Sequence, residues 1–158
     1  MHTITPFLWF DGKAEEAMNF YVSIFKNSRV LNVSRYGEAG PRPAGMVMTA
    51  VFEIEGQEFM ALNGGPEFSF SEAVSFIVNC ETQVEVDGLW QKLTAEGGEP
   101  GPCGWLKDKF GVSWQIVPTA LDEMLQDQDA AKAQRVMAAM LRMGKIDIAE
   151  LRRAYEDT

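Results

Sequence analysis

The residues of this chain with most chemistry to offer are two cysteines, one histidine and a few polar side chains set into apolar strands. Cys80 closes an apolar run and Cys103 precedes another. A thiol attacks only as its thiolate, which needs a basic neighbour, and Lys107 is the nearest in sequence to Cys103. The alternative is that both cysteines are small buried hydrophobes. His2, the one histidine, lies at a terminus, a poor place for the base of a Ser–His or Cys–His pair. No Gly-x-Gly-x-x-Gly, Walker loop or His-Glu-x-x-His occurs. The paired glycines Gly64–Gly65 and Gly97–Gly98 read as turn glycines rather than phosphate cradles. That leaves polar groups on strands. From 112 to 117 the chain alternates Val112, Trp114 and Ile116 with Ser113, Gln115 and Val117. One face is therefore apolar and the other carries a hydroxyl and an amide. Asn63 ends another apolar strand. An inward amide needs a hydrogen-bond partner, from a ligand, a water or the backbone. Lys107, Asp108 and Lys109 form a charged turn. It reads as a solvated hairpin tip or as a rim that attracts an anion.

The elements that must position these groups follow the same order twice. Residues 4–10 alternate as a strand with two largely apolar faces. Ala14, Ala17, Met18, Tyr21 and Phe25 make a helical stripe, with Glu15 and Glu16 in its first turn. Strands follow at 29–36, 46–54 and 58–63, with a turn at 55–57 and a long loop at 37–45 of the kind that sits over sites. A second strand–helix–strand run begins at 74–80. Its helix is announced by Thr82 with Glu85 as a capping box and stopped at Gly97–Gly98. Residues 99–106, broken by Pro and Gly, allow only a short edge strand before the hairpin that ends at Pro118. The two helices start about seventy residues apart at comparable places, which marks a repeated β-α-β-β-β module. The predicted class is α+β: two such modules over 1–118, then a helical extension over 119–158. In that extension Ala133, Val136, Met137, Met140 and Leu141 form a stripe, and Asp147 with Glu150 caps a last helix. The stripe requires burial on the domain or on a second subunit.

Composition bounds the partners. The 158 residues carry a formal charge of −9, which disfavours nucleic acid and anionic membranes. No apolar run reaches the length of a membrane span, and the first residues do not read as a signal peptide. Two cysteines in a chain of this size suggest free thiols in a reducing compartment, hence the cytoplasm.

The doubled module resembles the vicinal oxygen chelate superfamily, which includes glyoxalase I, extradiol dioxygenases and the fosfomycin- and bleomycin-resistance proteins. More closely, the chain is similar to the PhnB-like group, named 3-demethylubiquinone-9 3-methyltransferase. The segments that carry the likeness are 9–17 (Trp-Phe-Asp-Gly-Lys-Ala-Glu-Glu-Ala), 20–21, 56–66 (Gly-Gln-Glu-Phe-Met-Ala-Leu-Asn-Gly-Gly-Pro), 80–87, 103–118, 132–137 and 144–147. The resemblance implies a glyoxalase-like curved mixed sheet in each module and pairing into a homodimer. In metal-using relatives the ligands come from the first, fourth, fifth and eighth strands. Here the resemblance places Thr5, Ala61, Ser75 and Gln115 there, a set too neutral for a divalent metal. The methyltransferase name has no glycine-rich turn after the first strand of a doubly wound sheet to support it. The expectation is a small-molecule-binding protein without metal or other cofactor. Its pockets would be lined by Phe7, Trp9, Phe59, Asn63, Ser75, Ser113 and Gln115, with Trp105 and Lys107 near the rim. The alternatives are an enzyme, by methyl transfer or a lyase- or isomerase-type reaction, and an interaction module acting through the C-terminal helices.

Overall fold

A computed structural model describes residues 2–157. The chain divides into two compact units, one up to Ser69 and one from Phe70 onward. Each contains one four-stranded mixed sheet.

In the first unit β1 (Phe7–Phe10), α1 (Ala14–Ile24), β2 (Ser28–Arg35), β3 (Val47–Ile54) and β4 (Gln57–Asn63) form a sheet of order β1-β4-β3-β2. β1 runs parallel to β4; the other neighbours are antiparallel. The β3–β4 hairpin turns on Glu55 and Gly56, both at positive φ (48° and 83°), the primed geometry that matches strand twist. α1 buries Ala14, Ala17, Met18, Tyr21 and Ile24, the face set by the 3–4 spacing of its apolar residues. Tyr21 stacks on Phe52 at 6.3 Å and Phe52 on Phe59 at 5.8 Å, joining helix, β3 and β4 in one aromatic core. The N-cap residue of α1, Lys13, makes no side-chain cap. Asn63 supplies it from β4 instead: its Oδ1 accepts from Ala14 N (2.9 Å), while its Nδ2 donates to Val47 O (2.9 Å).

The second unit repeats the plan with β5 (Ser75–Cys80), α2 (Gln83–Leu93), β6 (Glu99–Pro100), β7 (Trp105–Lys107) and β8 (Ser113–Pro118), in the order β5-β8-β7-β6. Thr82 accepts from Glu85 N (3.2 Å), and the Glu85 carboxylate accepts from Glu81 N (3.0 Å), one residue beyond the N-cap amide of the expected reciprocal box. Val86, Leu93, Leu106, Trp114 and Ile116 are buried in this unit.

The extension forms α3 (Thr119–Leu125), α4 (Ala130–Leu141) and α5 (Ile148–Glu156) and belongs to the second unit. Its stripe closes on itself: Leu121, Met124, Val136, Ala139, Met143, Ile146 and Leu151 make one buried cluster. Of the stripe read from sequence, Val136 is buried and Met140 packs against this cluster, while Met137 and Leu141 stay exposed. Arg135 of α4 donates to the carbonyls of Ala154 and Tyr155 and fixes the end of α5. The link between α4 and α5 lies along the module. Cys103 N donates to Met143 O and Gly104 N to Gly144 O, both at 2.8 Å. Gln83 at the start of α2 donates to Ile146 O (3.0 Å) and accepts from Ile148 N (2.8 Å). Lys145 pairs with Asp87 at 2.7 Å.

Gln83→Ala removes two hydrogen bonds that hold this link, at about 1–2 kcal/mol of global stability. Native-state hydrogen exchange is expected to show the Ile148 amide opening selectively, ahead of the β5 and β8 amides. Unchanged Ile148 protection would show that the clamp is dispensable.

Candidate functional site

Strand parity decides which side chains face the open side of each sheet. In the first unit Leu8, Phe10, Ala50, Phe52, Phe59, Ala61 and Asn63 are buried on the helix side. The expectation that Phe59 and Asn63 line a pocket is therefore corrected: Phe59 belongs to the aromatic core, and both ends of the Asn63 amide are saturated by backbone. Phe7, 51 % exposed, and Trp9 lie on the opposite face. The Trp9 indole crosses Gly64, where a Cβ would come within 2.4 Å of the ring. Its Nε1 donates to Gly65 O (2.9 Å) and its ring meets Phe68 edge-on. Trp9 thus pins the turn after β4. The 37–45 loop is tied to that turn as well: Arg42 donates to Gly64 O (2.7 Å) and Tyr36 Oη to Asn63 O (2.8 Å).

In the second unit Trp114 and Ile116 point toward the core, so Ser113, Gln115 and Val117 take the open face. The β7–β8 register sets Trp105 opposite Gln115 and Lys107 opposite Ser113, and the β5–β8 register sets Ser75 beside Ser113. Ser75, Trp105, Lys107, Ser113 and Gln115 therefore share one face. Gln115 Nε2 donates to Ser75 Oγ at 2.9 Å, so the pair presents one carbonyl acceptor and one hydroxyl donor.

A cavity of about 390 Å³ opens at the β6–β7 end of this face, within the usual size range of small-ligand sites. Pro100, Gly101, Pro102, Cys103, Trp105 and Leu106 form its walls; Glu72, Glu99 and Lys107 ring it. Ser113 also lines it, 1 % exposed, and its hydroxyl has no hydrogen-bond partner. Glu72 carried no signal in the sequence. The bracketing prolines did, but they read only as strand breakers.

The turn that joins Lys107 to Ser113 is not a solvated tip. Asp108 is 2 % exposed, and its carboxylate accepts from Phe110 N (2.9 Å), Val112 N (3.1 Å) and Trp114 Nε1 (2.9 Å). Lys109 pairs with Glu96 at 2.7 Å. Lys107 is ion-paired to Glu72 and lies 4.0 Å from Glu99. The Lys107 hydrogen bond holds the Glu72 carboxyl below the usual range, and Glu72 raises the Lys107 ammonium in turn. The rim thus holds two carboxylates against one ammonium, not a free positive charge.

The two thiols differ in environment. Burial, and then the Glu85 charge, push Cys80 up to about 11, so it stays a neutral thiol at physiological pH. Cys103 is partly exposed in the cavity wall, at φ 57°.

Comparison with known proteins bears on the fold and the family. Residues 2–117 match the family model described as 3-demethylubiquinone-9 3-methyltransferase. The chain belongs to this family. The PhnB protein of Bacillus cereus is 43 % identical, with a TM-score of 0.68 over 75 % of this chain and 100 % of that one. A protein of Pseudomonas aeruginosa shares the fold at 23 % identity (TM-score 0.62; 75 % and 98 % covered). So does FosX, a fosfomycin resistance protein of Listeria monocytogenes whose structure contains Mn(II) and sulfate (16 %; TM-score 0.56; 79 % and 95 % covered). No curated protein matches the chain in sequence. The family match ends before α3, so the C-terminal helices lie outside it.

The donors that the resemblance aligned with metal ligands do not fit a divalent ion. Ala61 is fully buried on the helix side, so the alignment is off by one residue of parity on β4. Thr5 donates to Glu58 at 3.4 Å, ahead of β1. Ser75 and Gln115 are neutral and bonded to each other. Among the described residues no group of three or more His, Cys, Asp or Glu is placed to hold a metal. No helix among them is long and apolar enough to cross a membrane.

Alkylation should separate the thiols. Iodoacetamide at pH 8 is expected to modify Cys103 in the folded protein and to reach Cys80 only on unfolding. Equal rates by peptide mass spectrometry would refute the burial assigned to Cys80.

Proposed function

We propose that this member of the family is a small-molecule-binding protein that works without a bound metal, and that its ligand enters the cavity on the open face of the second sheet. The observation that carries the reading is the cavity of about 390 Å³ on that face, walled by Pro100, Pro102, Trp105 and Leu106. Apolar walls with one or two convergent polar groups are the usual chemistry of a small-ligand site. The Ser75–Gln115 pair adds a donor and an acceptor farther along the same face.

The metal-free part of the reading is supported by the neutral Ser75–Gln115 pair and by Met60 and Leu62, the open-face residues of β4, neither of which is a His or a carboxylate. The family description speaks of methyl transfer, but a family name does not assign chemistry to a site. Two four-stranded mixed sheets are also not the doubly wound parallel sheet whose crevice takes nucleotide-like cofactors.

Two measurements test the proposal. Trp105→Ala strips one wall of the cavity and is expected to abolish the NMR shifts that small aromatic probes cause at residues 99–113. Shifts that persist in the variant would put the ligand elsewhere. Elemental analysis of protein purified without chelator is expected to return only trace metal. Stoichiometric zinc, nickel, manganese or iron would overturn the metal-free reading.

A further inference from the structure

One wall of the cavity is a turn whose backbone is held from outside the sheet. Pro102 to Trp105 form it: Trp105 N donates to Pro102 O (3.0 Å), and both central residues, Cys103 and Gly104, are at positive φ (57° and 84°). The closing bond uses neither central N–H, so both need acceptors elsewhere. The link between α4 and α5 supplies them, Met143 O and Gly144 O, each at 2.8 Å. Positive φ suits Gly104. Cys103 carries a Cβ, and side chains other than Asn and Asp seldom adopt it. Ile146, fully buried, completes the hold: a Cβ on Gly104 would come within 3.1 Å of its Cγ1. The turn thus keeps a sparsely populated conformation through bonds to a second segment. That segment is in turn clamped by Gln83, which donates to Ile146 O and accepts from Ile148 N, and by the exposed Lys145–Asp87 pair.

Resting on the reading of this cavity as the ligand site, we propose that the α4–α5 link is a conformational switch for it. Docked, the link holds the 102–105 turn in the binding shape. Released, it lets Cys103 relax to negative φ and draws Pro102 and Cys103 out of the cavity wall. Such an opening breaks only the few bonds named and leaves the sheet intact. A ligand that touches this wall binds the docked state better. It therefore tightens the link by the same factor by which release weakens the ligand.

The experiment uses indole as the probe of the cavity and Gln83→Ala as the release, followed by NMR titration and amide hydrogen exchange. Indole is expected to shift the amide signals of residues 99–113 and to bind at least threefold more weakly to Gln83→Ala. At saturation it should slow exchange of the Ile148 amide by a matching factor. In Gln83→Ala the Cys103 and Gly104 amides should open together with that of Ile148. Cys103→Asn supplies a residue that accepts positive φ, so in its presence Gln83→Ala should cost less than twofold in affinity. A merely weakened fold would show no such rescue. Equal indole affinity with and without Gln83→Ala overturns the switch while the site stands. So does an Ile148 amide that opens without Cys103 and Gly104, or a loss undiminished by Cys103→Asn. Absence of any shift at residues 99–113 in all of these proteins overturns the site itself, and the switch with it.

Discussion

A buried carboxylate holds the second sheet in register. Asp108 is withdrawn from water at the β7–β8 turn and accepts from two backbone amides and the Trp114 indole. A charge in that position is tolerable only because its oxygens are so fully engaged. The turn then admits one pairing of the strands, Lys107 with Ser113 and Trp105 with Gln115. A slip of one residue would exchange the Ser113–Gln115 face for the Trp114–Ile116 face and drive two polar groups into the core. The cavity, its hydroxyl and its rim lysine all inherit their places from that one side chain.

The first unit solves a related problem with an amide. The start of α1 leaves backbone N–H groups that Lys13 does not serve. Asn63 reaches across from β4 to serve one, and with its other end fastens β3 at Val47. Both units therefore contain a buried polar residue whose work is to lock strands to their neighbours. Asn63 and Asp108 are both satisfied by protein, and each unit keeps one buried hydroxyl without a partner, Ser28 in the first and Ser113 in the second.

These locking residues mark how far the sequence alone can be read. The doubled β-α-β-β-β order, the helix caps at Thr82 and Asp147, and the polar face of β8 follow from alternation and local signals; the structure contains all of them. The face of β4 was not legible, because both of its faces are apolar apart from their charged or amide ends, and parity then has nothing to register against. Asp108 was misjudged as solvated for a similar reason. Three consecutive charges read as surface unless one knows that an indole six residues on folds back to meet the middle one. Glu72 was missed because its partner Lys107 lies far along the chain.

The docking of the C-terminal segment on Cys103 and Gly104 separates two kinds of inheritance in this molecule. The strand that carries Ser113 and Gln115 lies within the residues the family model matches, whereas Met143 and Gly144, which hold the loop forming the cavity wall, lie outside it. The loop itself lies inside the matched stretch, but two of its amides are held from outside it. A change in the tail can therefore shift this wall of the cavity without altering a residue of the strands.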